Sequence, residues 1–196
     1  MITTNLTIGT IFDGRYQIDS LLGQGRIGVV YRARHVMLRD LVAIKILLPE
    51  IQARFLRENI AVERLTHTNA VALYDLYTTP DGLIYMVLEY IEGRRLEEEL
   101  KRRGRFSPEE AFSVLGPIAD MLDTAHARGI VHLNLNPREI ILRGFVGGNL
   151  TVKLLDLYEN LLLRSSDIEI ANPENAFYRS PEHWEMRPDI DRKSVV

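Results

Sequence analysis

Two stretches decide the fold of this chain: Gly23-Gln24-Gly25-Arg26-Ile27-Gly28-Val29-Val30 and Val42-Ala43-Ile44-Lys45. Glycines let a backbone come close to phosphates and adopt dihedral angles that side chains forbid. Three glycines alone more often mark an ordinary turn. Here they lie between two predicted strands, which argues against a dinucleotide-binding βαβ unit. The lysine strengthens the phosphate interpretation, because a lysine in an otherwise apolar strand is costly to bury unless it meets an anion.

The sequence around these stretches predicts a strand-rich N-terminal half. Tyr16 and Ile18 alternate with polar neighbours, and apolar runs follow at 29–31 and 41–48, as is typical of strands. From residue 49 to about 67 the apolar residues fit one broad face of a helix. Two further strands are predicted at about 71–77 and 83–90, joined by a turn at 79–82.

Helices dominate the second half. A charged segment at 95–102 is predicted to be helical, and Ser107-Pro108-Glu109-Glu110 carries the signals of a helix start. That helix should run to Arg128, because Gly129 follows it. We place the boundary between the halves near 91–94. Short strands are predicted at about 130–133, 140–142 and 150–155.

Composition narrows the class of protein. Hydrophobic residues at 46% and charged residues at 26% predict a buried core. A formal net charge of -3 gives no electrostatic footprint for nucleic acid or an anionic membrane. The absence of cysteine excludes disulfides and thiolate chemistry. With no secretory signal in MITTNLTIGT and no apolar run long enough to cross a bilayer, we expect a soluble cytoplasmic protein without a membrane segment.

From about Tyr16 onward the chain resembles the protein kinases, in particular the bacterial serine/threonine kinases. That family combines a G-x-G-x-x-G-x-V loop with a V-A-I-K lysine, a glutamate on the helix called αC, and H-R-D, D-F-G and A-P-E motifs. Residues 54–58 and 125–132 carry the bacterial likeness. The resemblance implies an α+β, two-lobed fold. Its parts would be an N-terminal extension at 1–15, an N-lobe with an antiparallel sheet and an αC-like helix at 16–91, and an incomplete helical C-lobe at 92–196.

The resemblance also implies an ATP site. Gly23, Gly25 and Gly28 would cover the phosphates, and Lys45 would hold the α- and β-phosphates. Glu58, thirteen residues after Lys45, would aim the lysine through an ion pair, whereas taken alone it would be a solvated surface residue. The positions around the adenine would be Val30 and Ala43 as its roof, Leu88 as the gatekeeper, Glu89 and Ile91 as hinge backbone, and Ile141 as its floor.

The catalytic loop departs from the family. Where kinases have H-R-D-x-K-x-x-N, the chain reads His132-Leu133-Asn134-Leu135-Asn136-Pro137-Arg138-Glu139. Asn134 stands in the place of the catalytic aspartate, and a neutral amide cannot take the hydroxyl proton. The loss of a positioned base typically costs about 10²–10⁴-fold in rate. Asn136 replaces the lysine that would neutralise the transferring phosphate.

The expected metal positions are mixed. Asp156 matches the D-F-G aspartate that holds Mg²⁺, and Glu139 replaces the metal-binding asparagine. A carboxylate is a competent Mg²⁺ ligand, but an unpaired one would repel the nucleotide phosphates. Tyr158 replaces the glycine of D-F-G and limits the backbone swings available there.

Three functions remain open at this stage. The first is a pseudokinase that binds ATP and acts by conformation or by docking other proteins. The second is a weakly active serine/threonine kinase. The third is a non-enzymatic fragment, completed by a partner or not stably folded, since the chain ends where the central C-lobe helix of the family begins. The replacements at Asn134 and Asn136 favour the first.

Overall fold

A computed structural model of the chain describes residues 5–58, 65–132, 134–144 and 148–158, together with Leu162 and Tyr178. The chain divides into two compact units. The first comprises residues 1–64 and 72–90, and the second comprises residues 65–71 and 91–196. Each unit has its own cluster of buried apolar side chains.

The first unit contains a six-stranded antiparallel sheet. Its strands are β1 (Ile11–Phe12), β2 (Tyr16–Gln24), β3 (Gly28–His35), β4 (Leu41–Leu47), β5 (Leu73–Thr78) and β6 (Ile84–Glu89). Their spatial order is β1-β2-β3-β4-β6-β5. β4 therefore pairs with β3 along one edge and with β6 along the other. β4 is thus an interior strand, held by hydrogen bonds on both edges.

Alternation along β4 decides which of its side chains enter the apolar cluster. Successive strand residues point to opposite faces of a sheet. Val42, Ile44 and Ile46 share one face and are 5%, 0% and 0% exposed within the cluster. Ala43 and Lys45 point to the other face. A slip of one residue would carry Lys45 into the apolar cluster, so burial on this face fixes the register.

Residues before β2 pack onto the same sheet. The rings of Phe12 and Tyr85 meet edge to face with centroids 4.8 Å apart. The guanidinium of Arg15 donates a hydrogen bond to the Tyr85 hydroxyl at 2.8 Å, and that hydroxyl donates to the carboxylate of Asp13. Burial, together with this hydrogen bond, raises the pKa of Tyr85 well above its ordinary value. Part of the segment expected as an N-terminal extension thus contributes to the core of the first unit.

Helix α1 (Pro49–Glu58) begins directly after β4 and is fastened to the sheet by one buried amide. The side chain of Gln52 is 4% exposed. Its Nε2 donates to the carbonyl of Leu47 at 2.6 Å, and its Oε1 accepts the N–H of Ile84 at 3.2 Å. A single side chain therefore joins α1 to the end of β4 and the start of β6.

The second unit combines two helices with a small sheet. In chain order its elements are β7 (Arg94–Arg95), α2 (Leu96–Arg103), α3 (Pro108–His126), β8 (Ile140–Gly144) and β9 (Leu150–Leu154). The three strands follow the order β7-β8-β9. The predicted start of α3 is confirmed by a reciprocal capping box: Ser107 Oγ accepts the N–H of Glu110 at 3.2 Å, and the Glu110 carboxylate accepts the N–H of Ser107 at 2.9 Å.

The predicted strand at 130–133 is wrong for the described residues 130–132, which form no strand. The N–H of Ile130 donates to the carbonyl of Ala125 at 3.0 Å, as part of the turn that ends α3. His132 is 1% exposed, and its Nε2 lies 2.9 Å from the carbonyl oxygen of Leu155. Ile130 and His132 are thus buried without pairing in a sheet.

The segment 65–71 also differs from expectation. A helix was expected to continue to about residue 67, but residues 65–67 are not helical. The segment instead lies along β9. The carbonyl of Asn69 accepts the N–H of Leu154 at 2.7 Å, and the N–H of Val71 donates to the carbonyl of Leu154 at 3.0 Å. These contacts explain why residues 65–71 group with the second unit.

Candidate functional site

The predicted site residues are divided between the two units. The glycine-rich turn, Lys45 and most of the expected adenine-binding positions belong to the first unit. The altered catalytic loop and the expected metal positions belong to the second. Within the first unit these residues are Gly23, Gly25, Gly28, Val30, Ala43, Lys45, Glu58, Leu88 and Glu89. Within the second they are Ile91, Asn134, Asn136, Glu139, Ile141 and Asp156.

The glycine-rich turn is a closed hairpin between β2 and β3. The N–H of Gly25 donates to the carbonyl of Gly28 at 2.8 Å. Ile27 is 1% exposed, and its carbonyl accepts the N–H of Leu48 at 2.8 Å. A Cβ placed on Gly28 would lie 2.3 Å from the carbonyl oxygen of Ile46. Gly28 is therefore required by the close approach of β3 to β4, whatever else the turn binds.

Lys45 lies at the centre of the sheet. It is 2% exposed and stands opposite Val30 on β3 and Met86 on β6. Directly opposed residues share a face of the sheet, so Val30, Lys45 and Met86 form one row. A buried ammonium needs anionic or strongly polar company. Glu58 is the last residue of α1, but its side chain lies outside the described part, so the Lys45–Glu58 ion pair stays a prediction.

Two of the expected adenine-binding residues, Ala43 and Leu88, form a second row on that face. Ala43 is 8% exposed and stands opposite Leu88 on β6. Glu89, the next residue, is tied to Ala72: its N–H donates to the Ala72 carbonyl at 2.9 Å, and its carboxylate accepts the Ala72 N–H at 3.2 Å. A backbone contact from Glu89 to a purine would therefore use its carbonyl oxygen.

Ile141 of the second unit lies against the backbone of Gly93. Arg95 and Lys153 stand opposite Ile141 on β7 and β9. A Cβ on Gly93 would lie 2.6 Å from the carbonyl oxygen of Leu142 and 2.7 Å from Cγ2 of Ile141. Only a glycine fits there without a shift of the backbone. In the sequence Gly93 indicates only the end of a strand, so its close approach to Ile141 could not be predicted.

Asn136 is turned into its own loop. The residue is 4% exposed. Its Nδ2 donates to the carbonyl of Asn134 at 2.8 Å, and its Oδ1 accepts the N–H of Arg138 at 2.9 Å. The side chain thus links the backbone on both sides of residue 136 and stabilises the turn. An amide used in this way has little capacity left for a phosphate.

Backbone contacts bring the two expected metal positions side by side. The N–H of Leu155 donates to the carbonyl of Glu139 at 2.7 Å, so residue 156 follows immediately after a residue bonded to Glu139. Asp156 is half-buried and has a φ of 53°, in the left-handed region. Among the described residues, no group of three or more His, Cys, Asp or Glu side chains could hold a metal. One or two carboxylates nevertheless fit Mg²⁺, which keeps waters and takes other ligands from substrate phosphates.

A brace from α2 to the catalytic loop was not foreseen. The Nε of Arg138 donates to the carboxylate of Glu97 at 2.9 Å, and the N–H of Glu97 donates to the carbonyl of Pro137 at 3.1 Å. Arg95 also donates to the carbonyl of Arg138. The hydrogen bond from Arg138 holds the pKa of Glu97 below its ordinary value, with further help from Lys101. In the sequence, a charged run such as 94–103 suggests a solvated surface. The contacts of Glu97 and Arg95 with Arg138 could therefore not be predicted from it.

With this geometry in place, comparison with known proteins defines the class. The family model described as the protein kinase domain matches residues 16–186. The chain therefore belongs to the protein kinase family. Among the helices in the described parts of the chain, none combines the length and apolarity that a membrane crossing requires.

Individual relatives are serine/threonine kinases of bacteria. The chain is 34% identical over 202 residues to a probable serine/threonine-protein kinase of Clostridium perfringens, covering 96% of this chain and 29% of that protein. It is 35% identical over 185 residues to the serine/threonine-protein kinase PrkC of Bacillus subtilis, covering 90% of this chain and 28% of PrkC. The chain thus spans less than a third of the length of these relatives.

Solved structures support the same fold. The crystal structure of a double mutant of the PknI kinase domain from Mycobacterium tuberculosis matches with a TM-score of 0.69 and 26% identity, covering 97% of this chain and 73% of that one. The α+β protein-kinase fold predicted from the motifs is confirmed.

Proposed function

We propose that this chain is a kinase domain that binds ATP but has lost efficient phosphotransfer, and that it acts through the conformation it presents to other proteins. One observation carries the proposal. At the position of the phosphate-neutralising lysine, the amide of Asn136 is buried and bonded to Asn134 and Arg138. The place of the general base is also taken by an amide. Two roles that need opposite charges are thus both filled by neutral groups.

Retention of ATP is supported by what the first unit keeps. The glycine-rich turn, the buried Lys45 and the row formed by Ala43 and Leu88 are all in register on β3, β4 and β6. In this proposal the turn and Lys45 hold the nucleotide phosphates. Asp156, with Glu139 beside it, would hold Mg²⁺ in the second unit. The metal would supply neutralisation of phosphate charge, which the amide of Asn136 cannot provide.

The test is a thermal shift and a phosphotransfer assay on the same preparation. A ligand present at about a hundred times its Kd stabilises the folded state by about 2.7 kcal/mol. We expect ATP to raise the melting temperature, and [γ-³²P]ATP to give no transfer above background. Lys45→Met should remove most of the shift, since methionine fills the apolar volume but lacks the charge. Lys101→Met is the matched control, because Lys101 is a surface lysine whose side chain is 70% exposed.

A second candidate is a weakly active serine/threonine kinase. The relatives named above favour it, together with the presence of both Lys45 and Asp156. Transfer of label that disappears in Lys45→Met and persists in Lys101→Met would establish this activity. The absence of any ATP-dependent shift, with or without Mg²⁺, would exclude both functions in favour of a non-enzymatic role.

A further inference from the structure

Tyr158 makes a contact that its position in the sequence does not suggest. The residue is 4% exposed. Its hydroxyl accepts the N–H of Leu65 at 3.3 Å and lies 3.4 Å from the carbonyl oxygen of Leu65, to which it donates. The hydroxyl therefore serves both polar groups of one backbone residue, as a neighbouring β-strand would. Leu65 is itself 2% exposed and belongs to the apolar cluster of the second unit.

The residues around Asp156 are held on both sides. Before it, the N–H of Leu154 donates to Asn69 and the N–H of Leu155 donates to Glu139, each at 2.7 Å. After it, Leu157 is 2% exposed within the apolar cluster, and Tyr158 is bonded to Leu65. Between these contacts Asp156 is half-buried, and its left-handed backbone is unfavourable for a residue other than glycine unless its surroundings impose it.

We infer that the Tyr158 hydroxyl is a latch that holds residues 156–158 against Leu65 and so fixes Asp156 in one backbone conformation. A glycine at position 158 would provide no side chain for this contact and would widen the range of dihedral angles. The latch makes Tyr158 a positioning residue for the carboxylate that is expected to hold Mg²⁺. In that respect the inference rests on the proposed function, whereas the latch itself is a property of the chain without ligand.

A purely space-filling role for Tyr158 predicts something different. Phenylalanine keeps the ring and its packing but lacks the hydroxyl. If only packing mattered, Tyr158→Phe would leave amide hydrogen exchange unchanged. If the hydroxyl is a latch, the Leu65 backbone loses two hydrogen bonds in a buried setting, where such a loss is unfavourable. Because both hydrogen bonds are longer than the usual range, the effect should be moderate.

The first test is hydrogen exchange on the protein without nucleotide, followed by mass spectrometry of peptides that cover Leu65 and residues 155–158. Tyr158→Phe should speed exchange of these amides about three- to fivefold. The matched control is Tyr74→Phe, which removes the hydroxyl of a tyrosine that is 49% exposed on β5. It should leave the same peptides unchanged. Unchanged exchange in Tyr158→Phe would overturn the latch.

The second test measures how much Mg²⁺ improves ATP affinity in the wild type and in Tyr158→Gly. With glycine, Asp156 is expected to hold its present conformation for only part of the time, and apparent metal affinity falls by that fraction. We expect the Mg²⁺-dependent gain to fall roughly threefold or more while affinity for metal-free ATP stays the same. An undiminished gain would overturn the positioning role. If the wild type binds no ATP, the proposed function fails, and hydrogen exchange alone decides the latch.

Discussion

Replacing Gly28 by alanine should destabilise the protein even when no nucleotide is present. The added Cβ would lie 2.3 Å from the carbonyl oxygen of Ile46 and 3.3 Å from Cγ of Lys45. An ordinary contact needs about 1 Å more, and the obstructing atom is backbone in a strand paired on both edges. Overpacking of this kind costs about 1–3 kcal/mol. Alanine recovers about 0.5–1 kcal/mol of backbone entropy relative to glycine, so we expect a net loss of about 1 kcal/mol.

The assay is reversible urea unfolding without ligand, with Gly116→Ala as the matched control. Gly116 lies inside α3, and a Cβ there meets nothing closer than the Phe112 ring at 3.8 Å. The control should therefore gain about 0.5–1 kcal/mol, the opposite sign for the same chemical change. A thermal scan should show Gly28→Ala melting about 2–4 °C lower. If Gly28→Ala is as stable as the wild type while Gly116→Ala behaves as expected, the packing explanation for this glycine is wrong.

Three further changes test other parts of the structure. Gln52→Leu removes a hydrogen-bond partner from two buried backbone groups, the Leu47 carbonyl and the Ile84 N–H, and should cost about 2–4 kcal/mol in urea unfolding. Asn136→Lys restores the residue of the family but breaks two hydrogen bonds within the loop; it should lower stability by about 1–3 kcal/mol and yield no phosphotransfer in the radiolabel assay. For Glu97, the hydrogen bond from Arg138 lowers the folded-state pKa below the ordinary value of a glutamate. Its contribution is therefore present above about pH 4.5 and lost as the pH falls further, so Glu97→Gln should flatten the acid side of the melting-temperature profile.

The fold could be predicted because its signals are local and repeat in a fixed order. The glycine turn, the alternating strand and the lysine follow one another on β2, β3 and β4, and each obeys a rule of period or turn chemistry. The start of α3 was equally visible, because the capping box lies within four consecutive residues, 107–110. Where burial and pairing both produce an apolar run, the sequence does not separate them, and the strand expected at 130–133 was wrong over the described residues 130–132 for this reason.

The contacts that shape the second unit could not be predicted, because they join residues far apart in the chain. Tyr158 bonds to a residue 93 positions earlier, and Arg138 bonds to Glu97 across 41 positions. A comparison with the D-F-G motif shows only that Tyr158 stands where the family has a glycine. It cannot show that the new side chain has a buried partner, since that depends on the path of residues 65–71 along β9.

The altered catalytic loop is better explained as a rebuilt turn than as a kinase loop with two residues removed. A loop that had merely lost its lysine would leave a gap or a solvated side chain at position 136. Asn136 instead is buried and bonded on both sides, and the next residues are braced by Glu97. Each of these contacts stabilises the loop without needing a charge directed at a phosphate. At position 136, phosphotransfer would require a lysine, whereas the stability of this loop depends on the asparagine that is present. Restoring the lysine would remove an interaction that the fold uses, and it would return only one of the two charged groups that catalysis requires.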